Sequence, residues 1–361
     1  MNKLFIPGPT EVFPAQLAAQ TRPMIGHRSK NYAELHRSIE ERLRGMMFTA
    51  NRIFISTSSA TGVIEAALKN AVKKKVLVPG NGAFSKKWAS VAESCGIEAV
   101  RLEYELGKAV RPEDIERELK NDSEIDAVMF THSETSTGVL SPLREVAEVV
   151  RKFPTVVLLV DAVSSFAATE IRVDEWGIDL LLFGMQKALA LPSGLAFCSV
   201  TPEILERSAN QPAGRKGYYF DFTEWEKAAT KNNTIITPAI SLMFALDFQL
   251  DEIAKNGGIE KRWADHAEMQ KITTEWAAER GIEYFSESGF HSPGVSVLAN
   301  SKNWNIAELN SKLQSEHSVE IANGYKNLKE KTFRIGHMGD HTPAGVRELL
   351  EWIDGLTAAN T

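Results

Sequence analysis

The chain has 361 residues, 43% of them hydrophobic and 24% charged, with a formal net charge of −6 at pH 7. This is ordinary globular composition at a length that usually exceeds one core, so disorder is excluded and two domains are expected. The negative charge speaks against nucleic acid or an anionic membrane as the main partner, and two isolated cysteines, Cys95 and Cys198, are too few for a disulfide framework or a zinc site.

The start, Met1 to Pro7, has no basic region followed by a long apolar run, so no signal peptide is expected. No run of about 18 apolar residues occurs to span a bilayer. The protein is therefore read as cytoplasmic. Pro7-Gly8-Pro9-Thr10 fits neither helix nor central strand and reads as a stiff arm. After the polar turn Gly26-His27-Arg28-Ser29, residues Tyr32, Leu35, Ile39, Leu43, Met46 and Met47 recur at helical spacing, with Ser29 as the cap.

Strands and helices then alternate. The pattern predicts strands at 52–55, 76–78, 99–102, 125–131, 156–160, 180–183 and 195–200. Between them it predicts helices at 63–72, 84–95, 112–119 and 142–151. Continuous apolar strands separated by helices imply a mainly parallel sheet covered on both faces. The pattern loosens from Gln211 to Pro238, read as an edge or interface loop around Tyr218-Tyr219-Phe220. Helices follow at 238–253 and 259–280. The last stretch alternates again, with strands at 294–298 and 333–335 and helices at 306–316 and 343–356, which suggests a smaller α+β unit. The expected division is an N-terminal arm at 1–15, a large domain at 16–255 and a small C-terminal domain at 256–361.

In such sheets ligands gather beyond the carboxyl ends of the strands. Ser59, Ala60 and Thr61 open a helix there, either as an ordinary cap or as a phosphate cradle at its positive end. Phe84 follows a glycine-rich turn and offers either a ring face or a core aromatic. Asp161 ends the most apolar strand, where a carboxylate is expensive unless paired. Lys187 follows the neighbouring strand; an amine kept neutral in a pocket can attack a carbonyl. Cradle, aromatic plate, buried carboxylate and lysine together describe a site for pyridoxal 5′-phosphate, with no metal.

These residues sit in longer motifs: Asp161-Ala162-Val163-Ser164-Ser165, Trp176-Gly177-Ile178-Asp179, and Gly184-Met185-Gln186-Lys187-Ala188-Leu189 with Pro192 and Gly194. With Pro7-Gly8-Pro9, Gly26-His27-Arg28-Ser29, the stretch His132 to Gly138, and Arg334-Ile335-Gly336, they occur in order along nearly the whole chain. The set resembles the class V, fold-type I pyridoxal-phosphate-dependent aminotransferases, nearest the serine/alanine–glyoxylate/pyruvate group. The resemblance implies an α/β fold, with a mainly parallel seven-stranded sheet between helices plus a smaller C-terminal α+β domain. It also implies a homodimer with shared active sites. By resemblance, Lys187 is the Schiff-base lysine and Asp161 the pyridinium partner. Val163 packs opposite Phe84, Thr135 meets the ring hydroxyl region, and Gln186 with Ser59, Ala60 and Thr61 holds the phosphate. Thr234 or Thr237 reaches the neighbouring subunit's phosphate. Arg334 binds the substrate α-carboxylate, and Gly8, His27 and Arg28 join the implied substrate site, Arg28 reading also as a structural dimer contact. The chain departs from the family pattern at Ser58-Ser59-Ala60, where relatives are commonly glycine-rich, and at Met185, where a small polar residue is frequent.

The implied activity is transfer of an amino group from a small L-amino acid, such as serine or alanine, to glyoxylate or pyruvate. Phosphoserine with 2-oxoglutarate, and 2-aminoethylphosphonate with pyruvate, are rival donor–acceptor pairs within the fold. A cysteine desulfurase is disfavoured because no cysteine lies beyond Cys198, and a dehydrogenase because Gly80-Asn81-Gly82 lacks the full dinucleotide spacing. A non-catalytic subunit of a larger complex stands as a remote alternative.

Overall fold

The computed structural model describes residues 3–358; Met1 and Asn2 of the expected arm lie outside the described residues. Its centre is a seven-stranded sheet in the order Arg52–Ser56, Ala196–Val200, Leu180–Gly184, Val157–Asp161, Ile125–Thr131, Lys75–Gly80, Glu98–Glu103. All neighbours are parallel except Ala196–Val200, which runs antiparallel to both of its partners. Successive residues of these strands go to opposite layers. Leu158, Val160, Leu181, Phe183 and Phe197 join one apolar cluster, while Val157, Leu159, Leu180, Leu182 and Cys198 join the other. Two-sided burial is why the central strands Val157–Asp161 and Leu180–Gly184 carry no polar side chain until Asp161.

A second, four-stranded sheet has the order Lys3–Phe5, Val319–Asn323, Thr332–Gly336, Val295–Ala299. It packs with the helices Gly258–Glu279, Ile306–His317 and Pro343–Thr357 around Phe5, Leu298, Ile321, Phe333 and Leu349. Two of its strands were not anticipated. Val319–Asn323 follows the preceding helix after a single residue, Ser318, at φ 54°, so no turn sequence announces it. Lys3–Phe5 pairs in parallel with Val319, Glu320 and Ile321, a partnership with no local signal. Short helices at Pro14–Ala19, Pro202–Ala209 and Phe222–Ala229 were also missed; the last falls inside the stretch read as loop, where Asp221 caps it. Among the described residues no helix is long and apolar enough to cross a membrane, and no group of His, Cys, Asp or Glu is placed to hold a metal ion.

Candidate active site

The parallel register brings three strand ends together, with Thr131 opposite Asp161 and Asp161 opposite Leu182. Asp161 is buried. Its Oδ1 accepts from the Val163 amide at 2.9 Å and its Oδ2 from Trp88 Nε1 at 2.8 Å. Both donors are neutral, and no ion pair reaches the carboxylate among the described residues. Burial pushes its pKa up to about 6, against those hydrogen bonds.

Lys187 stands on the turn beyond the next strand. The Leu191 amide donates to the Met185 carbonyl at 3.1 Å, the Ala190 amide donates to the Lys187 carbonyl at 2.9 Å, and Arg262 Nε donates to the Ala188 carbonyl at 2.9 Å. The N-terminal segment crosses directly over the side chain. Thr10 donates its amide to the Gln186 carbonyl at 3.1 Å and its hydroxyl to the Lys187 carbonyl at 3.0 Å, and Lys187 Nζ donates to the Pro7 carbonyl. Gly8 has φ +100°, and a Cβ there would meet Lys187 Cδ at 2.5 Å. On the other side, a Cβ at Gly336 would meet the Ile6 carbonyl oxygen at 2.2 Å. Glycine is needed at both places for the segment to fit. Burial pushes the Lys187 pKa down to about 8, assisted by the positive charge of Arg334 and opposed by Asp161 and Glu134.

Two helices open toward this pair. The helix Ala60–Ala71 begins after Ser59, whose side chain makes no capping bond. The Gly62 amide folds back to the Ser59 carbonyl at 3.0 Å, while the Ala60 and Thr61 amides have no acceptor among the described residues. These are the free donors of a helix start, at its positive end. The helix Ala83–Ser94 carries Phe84, Lys87 and Trp88 and is anchored by Glu134, which is wholly buried. Glu134 Oε2 accepts from the amides of Phe84 and Ser85 at 3.0 and 2.8 Å and from Ser85 Oγ at 3.0 Å; Oε1 accepts from Ser136 Oγ at 2.6 Å. A Cβ at Gly82 would lie 2.2 Å from Glu134 Cγ, so only glycine lets the carboxylate approach. Glu134→Ala would take the acceptor from the Phe84 and Ser85 amides. It should lower the unfolding free energy by about 3 kcal/mol, read from the urea midpoint at unchanged slope.

Together these walls enclose a cavity of about 370 Å³. A family model for class-V aminotransferases matches residues 10–329. The chain belongs to the class-V aminotransferase family. It is 31% identical over 350 residues to the serine–glyoxylate aminotransferase of Methylorubrum extorquens, covering 94% of this chain and 87% of that one. It is also 32% identical over 340 residues to the soluble hydrogenase 42 kDa subunit of Anabaena cylindrica, covering 93% of this chain and 88% of that one. Among solved structures, the subgroup IV aspartate aminotransferase of Thermus thermophilus superposes with a TM-score of 0.89 at 29% identity, covering 99% of both chains. The fold is thus that of the fold-type I aminotransferases, and the family is one of pyridoxal-phosphate-dependent transaminases.

In this class-V aminotransferase the cavity wall includes Gly8, Ser59, Ala60, Thr61 and Phe84 on one side. Thr135, Asp161, Val163, Gln186 and Lys187 also line it. Arg334 stands just outside that wall. Its Nε donates to the Asn323 carbonyl at 2.9 Å, its guanidinium carbon lies 5.6 Å from the Tyr325 ring centre, and it forms no ion pair among the described residues. Burial pushes its pKa down to about 10. Four residues singled out in the sequence lie away from the cavity. His27 and the exposed Arg28 sit on the turn before the helix Lys30–Met47. Thr234 gives its hydroxyl to the Ile236 carbonyl at 2.7 Å, and Thr237 is exposed. Trp88, Lys87 and Ser193 line the cavity although no motif read in the sequence contains them. Trp88 was within reach of pattern reasoning, since it lies one helical turn after Phe84 and therefore on the same face.

Proposed function

We propose that this chain binds pyridoxal 5′-phosphate in the cavity and transfers an amino group from a small L-amino acid of the serine or alanine type to glyoxylate or pyruvate. The observation that carries this is a low-pKa lysine in one cavity with a buried carboxylate that forms no ion pair among the described residues, and with unpaired helix amides. The donor set fits the cofactor at each point. The Ala60 and Thr61 amides, the Ser59 hydroxyl and Gln186 would hold its phosphate. Phe84 and Val163 would flank its ring, Thr135 would meet the ring hydroxyl, and Asp161 would face a protonated ring nitrogen, the cationic partner it otherwise lacks. When bound, the cofactor supplies an aldehyde carbon to carry the amino group and an electron-poor ring to accept the electron pair left when the α-proton departs.

The chain's own residues do the rest. Lys187 Nζ, whose pKa burial lowers to about 8, attacks in its neutral form as an amine and takes the proton from the substrate α-carbon. The N-terminal segment covers Lys187 and keeps bulk water from it. Arg334 receives the α-carboxylate in bidentate fashion. Arg334→Gln should raise KM for both amino acid and 2-oxo acid by about 10- to 100-fold, with a smaller change in kcat. Thr234 and Thr237 lie away from the cavity of their own chain and would serve that of a second copy, in a cytoplasmic homodimer. Gly8, His27 and Arg28 would border the substrate or the dimer contact.

The serine–glyoxylate relative supports the substrate choice. The test is loss of the cofactor's visible absorbance with L-serine, L-alanine, L-phosphoserine and 2-aminoethylphosphonate offered one at a time. Serine and alanine should react fastest; preference for phosphoserine or the phosphonate would replace the substrate assignment. The hydrogenase-subunit relative supports a second reading, in which the chain serves within a larger assembly. Failure of every amino acid to bleach a protein that holds the cofactor would favour it.

A further inference from the structure

We infer that Arg262, on the helix Gly258–Glu279, is a positioning residue for Lys187, its guanidinium clamping the turn that carries the reacting amine. The inference rests on the aminotransferase reading above and extends it to a side chain outside the cavity wall. Four consecutive carbonyls, Met185 to Ala188, run through this turn. Three of them are met by backbone amides or by Thr10: the Leu191 amide donates to Met185, the Thr10 amide to Gln186, and the Ala190 amide and the Thr10 hydroxyl to Lys187. The Ala188 carbonyl accepts, among the described residues, only from Arg262, which offers Nε at 2.9 Å and also Nη2. A charged donor makes a hydrogen bond roughly twice as strong as a neutral one. Ala190, two residues further on, has φ 54°. An alanine in the left-handed region is costly backbone, and it persists only where surrounding contacts over-determine it.

Arg262 is itself held in place. Its Nη2 lies 2.8 Å from Asp340 Oδ1, and the two side chains are only 13% and 18% exposed. Gln249 Nε2 donates to both oxygens of Asp340 at 3.1 Å. Gln16 Nε2 donates to Gln249 Oε1 at 2.7 Å and to Asp340 Oδ2 at 3.2 Å. Three helices, Pro14–Ala19, Ile240–Lys255 and Gly258–Glu279, thus converge on one mostly buried ion pair. Desolvating such a pair is a cost that apolar packing between the helices would avoid, and its cation is aimed at the carbonyl that follows Lys187. The residue before Asp340 closes the contact: a Cβ at Gly339 would come within 3.3 Å of Ala190 Cβ and of Thr10 Oγ1. Thr10, Gly339 and Arg262 together hold the strained turn. The charges that act on the Lys187 amine are Arg334, Asp161 and Glu134; Arg262 acts through the backbone.

The test compares wild type with Arg262→Gln, Arg262→Lys, and Arg262→Gln combined with Ala190→Gly. In the holoenzyme, Arg262→Gln should lower kcat by about 10- to 100-fold, the effect of a reacting group displaced by ~1 Å, with KM for amino and 2-oxo acid unchanged. In the cofactor-free chain, a small aldehyde with borohydride traps Lys187. The pH of half-maximal trapping should rise from about 8 toward the ordinary lysine value of about 10.4, as the amine leaves its buried seat. Glycine takes the left-handed backbone without strain, so adding Ala190→Gly should recover most of both losses. Arg262→Lys keeps a cation for Asp340 but not the planar pair of donors, and should fall between. A residue that only joins helices would lower the urea midpoint and leave kcat per folded molecule and the trapping midpoint at wild-type values. That result overturns the inference, as does a double variant no better than Arg262→Gln. Should Arg262→Gln not fold, Arg262→Lys decides the matter by the same two readouts. Failure of the wild-type protein to transfer any amino group would sink the aminotransferase reading, while the trapping midpoint would still answer for the clamp.

Discussion

Lys187→Ala should reduce amino transfer by roughly 10³–10⁴-fold or more, because one side chain serves as attacking amine and as general base. No other group in the cavity can take over. Lys87 is the other amine on the wall, but it is exposed and points its ammonium along the Trp88 ring. Lys187→Arg is the informative companion. It keeps the positive charge but has a pKa above about 12, so no neutral base is available near pH 7 and activity should not return. The lowered pKa gives an independent check. In cofactor-free protein, trapping of Lys187 by a small aldehyde and borohydride, followed by peptide mass spectrometry, should reach half its maximal rate near pH 8. Exposed lysines should need pH near about 10.4. Near-normal turnover of Lys187→Ala would remove Lys187 from the chemistry altogether.

What the sequence made legible follows the range of the interactions involved. Asp161 and Lys187 stood out because each interrupts an apolar pattern at a strand end, and parallel strands place successive ends side by side. The Ser59–Thr61 turn was legible for the same reason. The cover over Lys187 was not. Pro7-Gly8-Pro9 shows only that the chain is stiff there; what carries it across the lysine is the parallel pairing of Lys3–Phe5 with Val319–Ile321 at the far end of the chain. Glu134 was also invisible as an anchor. It reads as one polar residue among hydroxyls, and the Phe84 and Ser85 amides it binds lie 50 and 49 positions earlier.

Asp161→Asn should move stability and activity in opposite directions, which general damage to the fold would not do. In the cofactor-free protein the carboxyl pKa is raised from 3.8 to about 6, so its ionised form is disfavoured by the fold. The sign follows from linkage: no penalty exists below the unfolded value near 3.8, and the full penalty applies above about 6. It is on the order of 3 kcal/mol. Asparagine cannot ionise, so cofactor-free Asp161→Asn should melt at a higher temperature than wild type at pH 8 and lose that advantage as pH falls toward 4. Its amide oxygen can still accept from the Val163 amide. Trp88 Nε1, displaced from the carboxylate, retains Thr131 Oγ1 at 3.1 Å. Amino transfer, by contrast, should fall by about 10²–10³-fold, the usual loss when one preorganised charge is removed from a dry site. The charge that strains the empty fold is the one that would hold a protonated ring nitrogen in place. A variant destabilised at pH 8, or one that keeps its activity, would assign Asp161 to the structure of the strand end and not to the reaction.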